Sequence, residues 1–281
     1  MKISKILDII IVFLLITLVC VTTSRNTIST KNYKIETPLL EEQGSVKIVL
    51  ISDLHSVIYG KDQTILIDMV KNVKPDLILL SGDIFDDIDP MAGTQLLLNG
   101  ISSIAPVYYV TGNHEYWSHN IQAIREALES YGVIILSDTY ITAEIKNNKI
   151  IIAGIEDPHK KDYETPSYNQ NESMERAFRE LDEVSLYKVL IAHRPEYLED
   201  YKRYSFDLIL SGHTHGGQMR IPYIMNGLYA PNQGFFPKYA GGIYTYGNLI
   251  HIISRGLSFN PRLPRIFNPP ELVVIIIESS K

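Results

Sequence analysis

The sequence predicts a mixed α/β layered domain, with two β-sheets at its centre and helices outside them. Short apolar runs of strand length recur from residue 46 onward, and several are hydrophobic throughout, which is typical of strands buried on both faces. Segments with helical spacing of apolar residues separate the strands of the first half. The second half is richer in strands, and this combination predicts a layered α/β architecture.

The composition is that of one globular domain with an extension. The chain has 281 residues, of which 45% are hydrophobic and 21% charged, so it can bury a sizeable core. The net charge of -6 does not favour a nucleic-acid surface of the ordinary basic kind, and we expect no nucleic-acid partner. The only cysteine, Cys20, leaves the globular part without disulfide or thiolate chemistry.

Residues 1–24 are predicted to be a membrane anchor or signal segment. The apolar run after Lys2 and Lys5 is near the lower limit of the roughly 20 residues that span a bilayer. Only Thr22 and Ser24 offer weak cleavage positions, which favours an uncleaved anchor over a cleaved signal. We expect a single-pass protein of the cell membrane with its domain on the extracytoplasmic side, although basic residues flank both ends of the segment.

Residues 25–45 are polar and contain Pro38 and Gly44, which predicts a tether, and residues 46–281 are expected to form the folded domain. Apolar runs and turn residues predict its elements. Strands are expected at 46–52, 76–81, 107–111, 133–136, 141–145, 149–155, 187–193, 206–212, 244–256 and 271–279, and helices at 62–75, 95–104, 120–131 and 173–181.

Five of the apolar runs end in side chains that are able to bind metals. A single histidine after a strand is more often an ordinary polar residue, but five such endings together predict a shared site. Imidazole and carboxylate ligands favour first-row divalent metals over calcium, and Asp83 is best suited to bridge two ions. The residues at these endings are Asp53 and His55, Asp83, Asn113 and His114, His193, and His213 and His215.

The motifs SDLH, GDIFD, GNHE, AHRP and GHTHGGQ, in this order, resemble the calcineurin-like metallophosphoesterase superfamily. They cover residues 46–218. The later stretches FFPKYAGG, SRGL and NPPEL are similar to its bacterial branch with an N-terminal membrane or export segment, whose members are likened to UDP-2,3-diacylglucosamine pyrophosphatases. The resemblance implies a four-layer αββα sandwich, in agreement with the strands above.

The resemblance also implies a role for each residue of the site. Two divalent metal ions are expected, with manganese, iron and zinc as the candidates. His114 would act on the leaving group, and Asp86, the second aspartate of the GDIFD motif, would orient His114. One metal would be held by Asp53, His55 and His215, the other by Asn113, His193 and His213, and Asp83 would bridge them.

These residue types suit phosphoester hydrolysis. Two cations about 3.5–4 Å apart clamp a phosphate and lower the pKa of the water between them, so a metal-bridging hydroxide would attack phosphorus. Protein serine/threonine phosphatases of the superfamily carry arginine directly after the second aspartate, whereas this chain has Asp87. This departure argues against a phosphoprotein substrate.

We expect hydrolysis of a phosphodiester or pyrophosphate bond in a lipid-linked or nucleotide-linked substrate. The aromatic stretch 221–242 would either line the pocket mouth for an acyl group or pack onto the domain. The alternatives are a phosphomonoesterase or nuclease of the same superfamily, and a non-catalytic metal-binding module. The module is disfavoured because His114, Asp86 and every ligand are present.

Overall fold

Two six-stranded mixed sheets form the centre of the protein, in a computed structural model that describes residues 27–88, 91–259 and 264–281. In chain order the strands are β1 (Ser29–Thr37), β2 (Ser45–Ile51), β3 (Leu77–Ser81), β4 (Val107–Val110), β5 (Ile134–Ile135), β6 (Thr139–Ile145), β7 (Asn148–Ile155), β8 (Tyr187–Ala192), β9 (Leu208–Ser211), β10 (Tyr229–Ala230), β11 (Gly234–Phe235), β12 (Gly242–Tyr246), β13 (Leu249–Ile253) and β14 (Glu271–Ser279). The first sheet has the order β1-β14-β2-β3-β4-β5, and the second has the order β12-β13-β9-β8-β7-β6.

The α-helices lie outside the two sheets. They are α1 (Thr64–Val73), α2 (Ala92–Ile101), α3 (Asn113–Trp117), α4 (Ile121–Ser130), α5 (Lys160–Tyr163), α6 (Gln170–Phe178) and α7 (Leu198–Tyr201). Strands β10 and β11 pair only with each other, as a small antiparallel hairpin.

Three apolar layers hold this arrangement together. Successive side chains of a strand point to opposite faces, so each central strand supplies two layers and has an apolar sequence throughout. One layer lies between the sheets and the other two lie between a sheet and its helices, which gives the four-layer αββα order. The layers are represented by Leu50, Leu79, Ile152 and Leu210 between the sheets, by Ile51, Leu80, Leu66 and Leu97 outside the first sheet, and by Ile151, Leu190, Met174 and Phe178 outside the second.

Parallel pairing at the centre of each sheet determines where the site forms. Strands β2, β3 and β4 are parallel to one another, as are β7, β8 and β9. The carboxyl ends of parallel strands meet at one edge of a sheet, where side chains from different strands converge. All the predicted site residues follow such ends.

The structure corrects the prediction that residues 25–45 are a tether. Residues 29–37 form β1, an edge strand parallel to β14. Its inward side chains, Tyr33, Ile35 and Thr37, are buried, whereas Lys34 and Glu36 face solvent and form an ion pair. An edge strand with only two apolar inward positions resembles a polar linker in the sequence, because its partner β14 lies more than two hundred residues away.

Two further predictions concern the ends of the chain. The tail contains three strands and not two, because the run 244–256 belongs to the antiparallel pair of β12 and β13. The predicted anchor, residues 1–24, lies outside the described residues. None of the helices within the described ranges has the length and hydropathy needed to cross a bilayer.

Candidate metal centre

The structure brings the predicted site residues together where the two sheets meet. Asp53 and His55 follow β2, and Asp83 follows β3. Asn113 and His114 begin α3, directly after β4 and Gly112. The second sheet contributes His193 after β8, and His213 and His215 after β9.

Three groups of ligand-capable atoms form there, and two of them share the carboxylate of Asp83. These two consist of Asp53, His55, Asp83 and His215, and of Asp83, His193 and His213; the third consists of His55, Asp86 and His114, and within each group the ligand atoms lie within 4.8 Å of one another. Asp83 therefore occupies the position expected of a bridging residue. The ligand roles themselves stay predictions.

The backbone is strained at most of these positions. Asp53, His55, Asp83, His213 and His215 all have positive φ angles, between 48° and 70°. This left-handed conformation is unfavourable for residues with a Cβ, and such strain persists where the surrounding structure over-determines it, often at functional sites. In this backbone conformation the side chains of Asp53 and His55, and of His213 and His215, point toward the same site.

Glycine next to these residues allows the close approach of the strands. A Cβ on Gly112 would overlap Asp83 Oδ1, and a Cβ on Gly212 would overlap Ser52 Oγ. The glycines are therefore needed for space at these two positions, beyond the turns that they permit.

The contact between His193 and Asp83 tests whether the site fits a metal. His193 Nδ1 lies 2.8 Å from the carbonyl oxygen of Ser81, which can only accept, so Nδ1 is the protonated nitrogen. His193 Nε2 then presents its lone pair to Asp83 Oδ2 at 3.0 Å. Two lone pairs that face each other at this distance require a proton or a cation between them. The residues fit a metal ion.

The other candidate ligands have the same character. His55 Nε2 and Asn113 Oδ1 are buried and have no hydrogen-bond partner among the described residues. In two of the histidines the Nδ1 atom makes a hydrogen bond. His55 Nδ1 lies 2.9 Å from Asp86 Oδ2, and His215 Nδ1 lies 3.0 Å from Ser258 Oγ. A hydrogen bond at one imidazole nitrogen that directs the other toward the centre is the usual arrangement of metal-binding histidines.

Burial and neighbouring charges set the protonation of these groups. Burial raises the pKa of the Asp53 carboxyl. Burial acts in the same direction on Asp83, but the charge of His193 outweighs it and holds the pKa of Asp83 well below its usual range. Burial would lower the pKa of His193, yet the charge of Asp83 raises that pKa to about 10. Burial, with the neighbouring histidines, lowers the pKa of His213 and His215 well below the usual range, so their lone pairs are available.

Glu115 supports the loop that carries Asp83, a role that the sequence did not reveal. It is fully buried, and its carboxylate accepts hydrogen bonds from the backbone N–H groups of Asp83, Ile84, Phe85 and Gly112 at 2.7–3.1 Å. Burial, with the charge of Asp83, raises the pKa of Glu115 to about 7. Three orphan N–H groups in the loop that carries Asp83, and that of Gly112 after β4, need such an acceptor.

The aspartate that contacts His114 is Asp87, whereas the resemblance implied Asp86. His114 Nδ1 lies 2.6 Å from Asp87 Oδ1, and Asp86 is directed to His55. The two imidazole rings meet edge to face with their centroids 4.3 Å apart. Because consecutive aspartates direct their side chains differently, each of them reaches one of the two rings. The role expected of Asp86 toward His114 stays a prediction.

Two asparagines near the centre were also missed. Asn232, from the turn between β10 and β11, places Oδ1 3.0 Å from His213 Nε2. Asn268 donates to the carbonyl oxygens of His215 and Gln218 at 2.7 and 3.1 Å. Both lie far from the ligand motifs in sequence, and no local pattern connects them with the histidines.

Known proteins resemble this chain over most of its length. A family model described as calcineurin-like phosphoesterase matches residues 46–217. An uncharacterized metallophosphoesterase, YkuE, of Bacillus subtilis (strain 168) is 29% identical over 241 residues, which are 83% of this chain and 79% of the relative. Another uncharacterized metallophosphoesterase, from Aquifex aeolicus (strain VF5), is 28% identical over 257 residues, which are 88% of this chain and 91% of the relative.

A solved structure, the NAD nucleotidase NadN of Haemophilus influenzae, has the same fold. The TM-score is 0.51 with 15% identity, over 78% of this chain and 46% of NadN, so this chain spans about half of that protein and the likeness concerns the fold alone. The family model covers more than half of this chain, from the SDLH motif to the GHTHGG motif. The chain belongs to the calcineurin-like phosphoesterase family.

Proposed function

We propose that this protein hydrolyses phosphodiester bonds with two divalent metal ions held around Asp83. The observation that carries the proposal is the pair of ligand groups that share Asp83, with His193 Nε2 and Asp83 Oδ2 facing each other at 3.0 Å. A non-catalytic metal-binding module would need these ligands. It would not need the His114–Asp87 pair at the margin of the same centre.

Each residue has a distinct part in this proposal. Asp53, His55 and His215 would hold one ion, and Asn113, His193 and His213 the other. When bound, two divalent ions neutralise phosphate charge and supply a water of lowered pKa. Asp83 would set their separation.

His114 is the group placed to handle the proton of the leaving oxygen. Its side chain is 24% exposed, on the solvent side of the buried ligands. Asp87 accepts the hydrogen bond from Nδ1, which orients the ring and leaves Nε2 to deliver a proton. Asp87 also lines, with Asp86, Ile88, Met91 and Ile124, a neighbouring cavity of about 390 Å³ that His114 does not line.

The charges around the centre support a diester over the alternatives. Arg194 is bound to Asp157 at 2.6 Å, and Arg265 donates to the carbonyl oxygens of Ser258 and Arg255 at 2.7 Å, so most of their donors are occupied. Arg265 Nη2 is buried and has no partner among the described residues. Asp87, which hydrogen-bonds to the proposed proton donor His114, adds negative charge beside the centre. A singly charged diester with a neutral leaving group therefore suits the site better than a dianionic monoester or a pyrophosphate.

The test compares three substrate classes on the full chain, purified in detergent with Mn²⁺. We expect kcat/KM for bis-p-nitrophenyl phosphate to exceed that for p-nitrophenyl phosphate and for a UDP-sugar by about tenfold or more, which is ~1.4 kcal/mol of transition-state stabilisation. Asp83→Asn serves as the control that assigns the turnover to this site. A faster monoester or pyrophosphate reaction would contradict the diester preference, and bound metals without turnover would contradict catalysis.

We also propose that residues 1–24 attach the protein to the cell membrane, with the domain on the extracytoplasmic side and a lipid-linked substrate. The apolar composition of that segment supports the attachment. Deletion of residues 1–26 is expected to release the protein into the soluble fraction when membranes of expressing cells are washed with alkaline carbonate, which removes proteins that lack a spanning segment. Equal distribution of both forms would contradict the proposal.

A further inference from the structure

Two short hairpins after the last ligand motif expose an unusual number of large apolar side chains. We call residues 221–225 and 229–235, with Phe236, the apolar hairpins. Tyr223 is fully exposed, Ile224 is 82% exposed, and Phe235 and Phe236 are each 70% exposed. Of the fifteen exposed large hydrophobic residues in the described ranges, six lie between 221 and 236. Single exposed apolar residues are normal, but a cluster marks an interaction surface.

Backbone hydrogen bonds hold the two hairpins in place and connect them to the metal centre. Ile221 and Met225 exchange two backbone hydrogen bonds, of 3.0 and 2.8 Å, and close the first hairpin. In the second, the rings of Tyr229 and Phe235 pack at 5.3 Å. Between the hairpins the N–H of Leu228 donates to the carbonyl oxygen of Gly217 at 3.0 Å, in the turn that carries His215. The apolar hairpins therefore have a fixed position beside the catalytic residues.

The stretch that contains the hairpins has no carboxylate, and one exposed cation lies beside them. Residues 208–270 contain five Lys and Arg residues and no Asp or Glu, although the net charge of the chain is -6. Arg255 is paired with Glu271 and Arg265 is buried, whereas Lys238 is exposed and Arg220, which is half-buried, donates to Asn226 Oδ1. An exposed apolar surface with an exposed cation and no carboxylate in the same stretch is complementary to a bilayer with anionic headgroups.

The described chain begins at the same edge of the molecule. Ser29 N donates to the carbonyl oxygen of Pro270 at 2.8 Å, two residues from Asn268, which contacts the His215 turn. The apolar run of the predicted anchor ends at Val21, six residues before Thr27. Because six extended residues span at most about 20 Å, a bilayer that holds this run lies within about 20 Å of this edge.

We propose that the apolar hairpins insert into the headgroup region of an anionic bilayer and hold the metal centre toward the lipid surface. The tyrosines suit the polar boundary, and Ile224, Phe235 and Phe236 suit the acyl region beneath it. Lipid contact would thus occur at two places on one face, the N-terminal run and the hairpins. A second copy of the chain and the N-terminal run itself are the competing occupants of this surface.

The experiment places an environment-sensitive fluorophore on the full chain in vesicles of phosphatidylglycerol and phosphatidylcholine. Single cysteines are introduced as Ile224→Cys or Phe236→Cys in a Cys20→Ser background, and labelled with acrylodan. The control is Lys149→Cys, an exposed position at the start of β7, whose opposite end leads to the site. We expect blue-shifted emission at positions 224 and 236 that brominated acyl chains quench, and neither effect at position 149.

Two results would overturn the proposal. Emission at position 224 that is as water-like as at position 149 would mean that the surface does not touch lipid. Blue-shifted emission that brominated lipids fail to quench would assign the surface to a protein occupant. The labels report docking even if no substrate is hydrolysed, so failure of this proposal and failure of the proposed activity are distinguishable.

Discussion

The metal centre and the apolar hairpins are neighbours with opposite properties. At the centre Asp53 and Asp83 are at most 1% exposed and lie on a strained backbone. Burial raises the pKa of Asp53, whereas at Asp83 the charge of His193 outweighs burial and lowers the pKa. The hairpins begin six residues after His215 in sequence and expose apolar side chains within residues 208–270, a stretch without any carboxylate. Phosphoryl chemistry needs charges held in place away from water, whereas docking needs surface that is available to a partner. Substitutions in the two regions should therefore affect different measurements.

The largest effect is expected from Asp83→Asn. The substitution removes the carboxylate shared by both ligand groups, so we expect loss of at least one metal and a fall in kcat on the order of 10³-fold or more, equivalent to several kcal/mol. Metal content by mass spectrometry and bis-p-nitrophenyl phosphate turnover are the measurements. Asp76→Asn, which alters a carboxylate bonded to Lys47 N at the other end of the strands, is the matched control. Two metals with full turnover in Asp83→Asn would show that Asp83 is not the bridge.

His114→Ala is expected to have the next largest effect. Loss of a positioned proton donor costs roughly 10²–10⁴-fold in rate, while both metals are retained because His114 is not a proposed ligand. The loss should be greater for an alkyl diester than for a p-nitrophenyl diester, since p-nitrophenolate leaves without protonation. An equal loss for both leaving groups would argue against the role in protonation.

Substitutions of Asp86 and Asp87, which contact His55 and His114, should have different effects. Asp87→Asn weakens the orientation of His114, so we expect kcat to fall by about tenfold with alkyl leaving groups and metal affinity to stay unchanged. Asp86→Asn releases His55, so we expect metal affinity to fall by roughly 10–100-fold. If Asp86→Asn instead reproduced the leaving-group effect, the role implied by the resemblance would be restored.

Metal binding should release a proton from His193. Its pKa of about 10 in the metal-free protein means that it is protonated at pH 7, and a metal ion must displace that proton. The lowered pKa values of His213 and His215 mean that they are already neutral and release none. Calorimetry at pH 7 in buffers of different ionisation enthalpy should therefore show release of at least one proton on metal binding, and His193→Gln should lower the number of protons released.

The same pKa shift has a consequence for the stability of the metal-free protein. Because the pKa of His193 is raised in the folded state, protonation stabilises the fold fully below the unfolded-state pKa. This stabilisation is lost as the pH rises toward 10. Chemical unfolding of the metal-free protein between pH 6 and 10 measures it, and His193→Gln should flatten the dependence.

The smallest effect is expected at the rim of the apolar hairpins. One cation near an anionic bilayer contributes about 1 kcal/mol, so Lys238→Glu should lower the ratio of docked to undocked hairpins by roughly fivefold or more. The measurement is quenching of the Phe236→Cys label by brominated lipids, with Lys149→Glu as the control. Turnover of the soluble diester should stay within about twofold, because Lys238 lies outside the centre. If Lys238→Glu lowered docking equally in vesicles of neutral lipid, the charge of Lys238 would not act on the anionic headgroups.

The sequence by itself determined the layered α/β class and the ligand-capable residues. Buried parallel strands are apolar throughout, so their carboxyl ends are visible as abrupt changes to Asp, Asn and His. Each of these changes is local, and Asp53, Asp83 and His193 could be selected from it. The motif order then led to the family.

Only the tertiary structure decided which groups meet. The partner of His114 is Asp87, the role of Glu115 rests on four backbone N–H groups, and β1 is a strand only because β14 lies beside it. The clustering of exposed apolar side chains beside the ligand turn also depends on how the two hairpins fold. Such contacts cannot be predicted from the local sequence around either residue, because side-chain direction and long-range strand pairing are set by the packed core.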